Sequence, residues 1–176
     1  AHAELRVGMK EIEQNIKLDL RIVQGESRLG ETVSLGLGGI GEVVEVKGES
    51  IVSWAVRTVG SQRFLDLQLK PTPVEKGTGD QMEQDKGTND RSATIRIRSE
   101  HSVIPTKVEV AHLMPGKALG FDSKLEIQYV DGVAGKIVAA EGFAPLVSAK
   151  GIDRLQTATG GRLALQLNRG SALPPS

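Results

Sequence analysis

The sequence predicts an all-β fold: an antiparallel β-sandwich or a closely related two-sheet arrangement, with a long polar loop around residues 75–90. Three observations carry that expectation. Apolar residues alternate with polar ones at Ile16, Leu18, Leu20 and Ile22, at Leu65, Leu67 and Leu69, at Leu125, Ile127 and Tyr129, and at Leu163, Leu165 and Leu167. Such strands turn one face to a core and the other to water, as antiparallel sheets do. Separate strands of this kind need partners, and two facing sheets satisfy apolar faces and backbone hydrogen bonds together, so a sandwich ranks above a barrel. Finally, a hydrophobic content of 39% builds a core without a metal or a disulfide.

The elements follow in order. Glu4 to Gln24 reads as strand after Asn15, while Leu5, Met9 and Ile12 leave a short helix open for its first part. Gly25-Glu26-Ser27 interrupts it. Glu31 to Leu37 is a strand with Val33, Leu35 and Leu37 on one face, and the glycines at 36, 38, 39 and 41 make its end pliable. Val43 to Val46 and Ile51 to Val59 are β-branched runs, and Arg63 to Leu69 is among the clearest strands. Pro71 and Pro73 stop it.

The stretch EKGTGDQMEQDKGTND, 75–90, has the composition of an exposed loop or a linker. Read as an excursion between strands, it leaves one β-rich domain over 1–176; read as a boundary, it separates small subdomains at 1–72 and 91–170. The first is preferred, because the apolar faces of the first half need the later strands. Ala93, Ile95 and Ile97 alternate, and Thr106 to His112 and Lys124 to Val130 are further strands. Ile137 to Ala140 is a short apolar run, and Pro145 confines Phe143 to Val147 to an edge or a loop. Gly160-Gly161 precedes a last strand, Arg162 to Asn168, and Gly170 to Ser176 reads as a tail. RFLDLQLKP at 63–71 and GRLALQLNR at 161–169 look alike, which reflects recurrent sheet chemistry rather than a duplication.

Charge is balanced, with 22 Lys plus Arg against 22 Asp plus Glu. That argues against a nucleic-acid partner, which selects for a basic field. Arg91, Arg96 and Arg98 are the nearest basic cluster and read as a solvated sheet face. There is no cysteine, so no disulfide and no thiolate chemistry. No apolar run approaches the roughly 20 residues of a membrane span, and no signal peptide is visible. Starting at Ala1 rather than Met, the chain reads as a processed product or a piece of a longer protein, with the cell envelope or the secreted space the favoured location.

Gly36-Leu37-Gly38-Gly39-Ile40-Gly41 matches the G-x-G-x-x-G of dinucleotide sites. Those sites need a helix next, to aim its N–H groups at phosphate. Here the Val-rich EVVEVKGESIVSW follows, so a sheet turn or bulge is the reading. His2, His101 and His112 show no metal-ligand spacing, and a convergence of His101, His112 and Asp122 would need long-range folding. The acidic residues of 75–90 lack the spacing of a calcium loop. Glu26 with Glu31, or Glu109 with Glu126, would need a cleft to act as an acid–base pair. Ser27, Ser34, Ser50 and Ser53 lie outside any G-x-S-x-G. No catalytic, cofactor or metal site is expected.

Trp54, the sole tryptophan, is read first as a packing residue. Tyr129 at a strand end can place its ring inside and its hydroxyl at the rim, and Phe121 and Phe143 read as packing residues. Trp54, Tyr129, His101 and His112 are the candidate interaction or ligand contacts. The function expected is a noncatalytic structural or protein-interaction module of a larger protein, its partner another domain or subunit that adds to a sheet edge or covers a sheet face. An accessory domain for a carbohydrate or small ligand is the alternative, and a hydrolase a more distant one.

Overall fold

The computed structural model describes residues 1–21, 32–70, 90–101, 105–115, 121–147 and 152–169. The expected polar loop therefore lies outside the described residues, apart from Asp90 where a strand begins.

Fourteen strands follow one another: β1 (His2–Val7), β2 (Glu11–Arg21), β3 (Thr32–Gly38), β4 (Glu42–Lys47), β5 (Ile51–Val59), β6 (Gln62–Leu69), β7 (Asp90–Glu100), β8 (Lys107–Glu109), β9 (His112–Met114), β10 (Ser123–Tyr129), β11 (Val133–Glu141), β12 (Ala144–Pro145), β13 (Ile152–Thr157) and β14 (Arg162–Arg169). The helix left open at Leu5 to Ile12 does not form. Ala3, Leu5 and Val7, then Ile12, Gln14, Ile16 and Leu18, are buried at strand period. Between them the chain reverses, with the Gly8 N–H donating to the Glu11 carbonyl at 2.9 Å.

The strands make a seven-stranded sheet ordered β12-β13-β10-β1-β2-β7-β4, a four-stranded sheet β5-β6-β3-β9 and a three-stranded sheet β11-β14-β8. Ile40 makes an isolated parallel bridge with Val110, and between the named strands pairing is antiparallel except at the middle of the large sheet. There β1 runs parallel to β10, from His2 opposite Lys124 to Val7 opposite Tyr129. Parallel neighbours cannot be joined by a tight turn, so the chain builds most of its other strands between these two.

One segment joins the two smaller sheets. The strand expected over Thr106 to His112 divides at Val110 and Ala111: β8 pairs with β14, and β9 pairs with β3. It divides because it changes partners. The Val110 N–H donates to the Leu163 carbonyl at 2.8 Å, and the Ile40 N–H to Glu109 at 3.0 Å. Gln14, buried in the large sheet, donates from Nε2 to the Ala111 carbonyl at 2.6 Å and so ties this segment to the opposite layer.

Apolar faces of all three sheets meet in one cluster running from Ala3 to Leu167. Val7, Leu65, Leu67, Ile95, Ile127, Leu163 and Leu165 are its most enclosed members. Each contributes on the order of 1.5–3 kcal/mol relative to exposure. Phe143 is buried with them and Phe121 packs against them. Pro145 sits in β12, the outermost strand of the large sheet, where its missing N–H costs no ladder bond. The G-x-G-x-x-G segment closes β3 and leads into strand β4, not a helix. Gly39 has φ +76°, and a Cβ there would lie 2.1 Å from the Val110 oxygen, so this turn needs a residue without one.

Candidate functional site

The open side of the sandwich lies at β4 and β5, the end strands of two different sheets. Among the described residues β5 is hydrogen-bonded to β6 alone. Ile51 is half-buried and the other eight residues of β5 are exposed. A bulge falls between Ile51 and Ser53, and from Ser53 to Val59 the ladder with β6 is regular.

That register sorts the side chains. Trp54 and Val56 stand opposite Leu67 and Leu65, on the core-facing side of the sheet, yet are 36% and 40% exposed. Ser53, Ala55 and Arg57 point outward. The outward side is pinned by polar contacts. Ser53 Oγ donates to Gln68 Oε1 at 3.1 Å, and Arg57 Nε and Nη2 donate to the two carboxylate oxygens of Asp66 at 2.9 and 3.2 Å. The Arg57 guanidinium lies 4.7 Å over the ring of Phe64. Hydrogen bonds from Arg57, then from Ser34, hold the Asp66 carboxyl below its ordinary range.

Apolar surface concentrates here. Of the eight large apolar side chains exposed among the described residues, six (Ile40, Val44, Val52, Trp54, Val56 and Val59) fall between residues 40 and 59. Next to them a groove of about 680 Å³ opens between the glycine turn, Val44 of β4, Arg63 and Arg98. Arg63 donates to the carbonyls of Gly41 and Gly39 at 2.7 and 2.8 Å, which fixes one wall.

The structure does not bring the four sequence candidates together. Trp54 lies at the open side rather than in the closed core. Tyr129 ends β10 with its ring against Gly135, and its hydroxyl is buried with no hydrogen-bond partner among the described residues. Burial, and then the Asp153 charge, push the phenol up to about 12. His101 Nε2 lies 3.0 Å from Ser99 Oγ. His112 is buried edge-on against Phe143, its Nδ1 donating to the Val110 carbonyl at 3.0 Å and its Nε2 accepting from the Gly161 N–H at 3.4 Å. Both ring nitrogens thus serve the core. Asp122 accepts from Gln156 Nε2 at 2.7 Å and meets neither histidine.

The outward face of the large sheet is a lattice of charge. Arg96 lies between Glu13 (2.8 Å) and Glu45 (3.4 Å), and Arg98 between Glu11 (3.5 Å) and Glu100. In the three-stranded sheet Arg162 lies between Glu109 (2.7 Å) and Glu141 (3.3 Å). Hydrogen bonds from Arg96 and Arg162 hold Glu13 and Glu109 below the usual carboxylate range. Glu109 and Glu126 have separate partners, Arg162 and Arg154.

The set of metal-ligating side chains brought together among the described residues is one the sequence does not reveal: His2, Glu4 and Glu126, with ligand atoms all within 4.8 Å of one another. His2 and Glu4 are two apart on a strand and share a face, which is legible in sequence. Glu126 joins them only through the parallel pairing of β1 with β10.

No family model matches this chain. No curated protein matches it either. Among solved structures, the M1 zinc metallopeptidase from Deinococcus radiodurans is similar at a TM-score of 0.42 and 10% identity, over 94% of this chain and 41% of that one. The chain thus spans less than half of that protein's length.

Proposed function

We propose that this chain is a noncatalytic protein-interaction module, and that it takes an extended segment of another domain or subunit onto the free edge of β5. The observation that supports it most is that edge itself: nine residues long, paired on one side only among the described residues, with Trp54 and Val56 turned inward and 36% and 40% exposed. Backbone N–H and C=O groups would set the partner's register, and alternate apolar side chains would fill the space beside Trp54 and Val56.

The other edges suit this less. β12, β9 and β8 are short, β4 carries a bulge at Val44, and β11 carries Lys136 and Glu141 with a bulge after Ile137. Charges, bulges and brevity are the devices that keep strand edges from pairing. The regular part of β5 has one charge, Arg57, already neutralised by Asp66.

Hydrogen exchange tests the reading. A synthetic extended peptide with valine at alternate positions is expected to slow exchange at amides of residues 53–59. Val56→Lys, placed where water already reaches, is expected to abolish that protection and leave the melting temperature nearly unchanged. Protection absent from residues 53–59, or equal in Val56→Lys, overturns it.

The alternative, an accessory small-ligand domain, is favoured by the 680 Å³ groove, where exposed Ile40 and Val44 lie beside Arg63 and Glu42. Chemical-shift changes confined to those residues on adding a sugar panel would favour it over the strand edge.

A further inference from the structure

We infer that His2, Glu4 and Glu126 form a binding site for a divalent first-row transition metal, with zinc as the fitting probe, on the outward face of the large sheet. The inference is independent of the β5 edge.

The sheet builds the triad. His2 and Glu4 project from the same face of β1, and parallel pairing puts Glu126 of β10 directly opposite Glu4. Two like charges opposed across neighbouring strands repel. Elsewhere this protein answers close glutamates with an arginine between them: Arg96 for Glu13 and Glu45, Arg98 for Glu11 and Glu100, and Arg162 for Glu109 and Glu141. Beside Glu4 and Glu126 there is an imidazole instead, the three ligand atoms lying within 4.8 Å of one another. His2 Nε2 lies 4.0 Å from Glu4 Oε2, while Arg154 reaches Glu126 Oε2 from the far side at 3.4 Å. The other oxygen of Glu126 has no partner among the described residues. A nitrogen ligand with two carboxylates then surrounds a place where a cation relieves the repulsion.

The donor set selects the ion. Imidazole suits zinc and its neighbours in the first transition row, whereas calcium and magnesium favour oxygen ligands throughout. Metal–ligand bonds of about 2.0–2.2 Å place donors roughly 3.4 Å apart. The atoms here lie within 4.8 Å, so small side-chain rotations close the set. Lys17 and Lys124 stand opposite His2 on the two flanking strands and temper the affinity. Three protein ligands leave the outward position to water. The ion would pin the first strand to the middle of the large sheet.

The test uses the whole chain acetylated at the Ala1 amine, so that no free amine adjoins His2 and chelates in its place. Calorimetric titration with zinc chloride is expected to show one ion bound, and zinc is expected to raise the melting temperature through binding to the folded state. His2→Ala and Glu126→Gln, both at the sheet surface, are each expected to weaken binding about tenfold or more and to remove the zinc-dependent rise. His101→Ala is expected to change neither. The proposal is overturned by zinc that fails to bind or to raise the melting temperature, by binding that survives His2→Ala and Glu126→Gln, or by binding that is lost in His101→Ala.

Discussion

Trp54 stands directly across from Leu67 in the β5–β6 ladder, yet Leu67 is wholly enclosed while Trp54 keeps 36% of its surface in water. The two side chains leave the same face of the same sheet. What differs is the cover above them, which thins at β4, the last strand of the large sheet.

The pair gives a direct comparison of stabilities. Leu67→Ala is expected to cost about 2–5 kcal/mol, as core truncations do. Trp54→Ala, although it removes the larger side chain, is expected to cost less. Urea unfolding of the two variants measures the difference. Because Trp54 is the sole tryptophan, its fluorescence should be quenched readily by acrylamide in the folded protein and lose that accessibility when a partner segment is bound.

Tyr129 is the sole tyrosine, so the absorbance of its phenolate is unambiguous. Its pKa is raised to about 12 in the fold, against 10 in the unfolded chain. The folded state therefore holds the proton more tightly. That contribution is fully present below pH 10 and is lost as pH climbs from 10 towards 12. Tyr129→Phe is expected to flatten this alkaline loss. It also removes a buried hydroxyl that has no partner among the described residues, so at neutral pH it is expected to be neutral or stabilising by about 1 kcal/mol.

The glycine turn offers another paired test. Gly39 and Gly60 both have positive φ, at 76° and 62°, but a Cβ at Gly60 meets nothing within 4 Å while one at Gly39 meets the Val110 carbonyl at 2.1 Å. Gly60→Ala is expected to cost about 1–2 kcal/mol, the conformational term alone. Gly39→Ala must also part the turn from Val110 and is expected to cost clearly more, read from thermal unfolding.

Acid should weaken the fold through its arginine-bridged carboxylates. Glu13 and Glu109 are held below their unfolded pKa of 4.5, chiefly by hydrogen bonds from Arg96 and Arg162. A lowered pKa contributes stability that is present above pH 4.5 and lost as pH falls through the folded value. Both carboxylates are half-buried at the sheet surface and still reach water, so the effect is modest and screened by salt. Arg162→Gln is expected to shrink the fall in urea midpoint between pH 7 and pH 3.

Much of this architecture was legible in the residues. β6 and β10 are legible to within a residue, because period-two alternation is what a half-buried strand requires, and Ile51 to Val59 is legible to its termini as a β-branched run. Other features were hidden for physical reasons. β13, IDRLQT, buries only Leu155 and Thr157, too few for an alternation to show. The division of β8 from β9 depends on a change of partner, which one strand's composition does not encode. Trp54 reads as a core residue because its type favours burial, whereas its exposure follows from where a facing sheet ends. The β5 edge is open to sequence reasoning only as a kind of surface, and the triad at β1 and β10 only as far as the shared face of His2 and Glu4, since strand order decides the rest.

The parallel contact of β1 with β10 has a consequence for how the chain reaches its native state. Residues more than 120 positions apart must meet before the middle of the large sheet exists. The hairpin of β1 with β2 is local and is expected to form early, leaving one flank of β1 unoccupied until Ser123–Tyr129 arrives. Contacts of such separation slow the search, so the domain is expected to fold in the slower, millisecond-to-second range typical of high contact order, with closure at β1–β10 among the last steps.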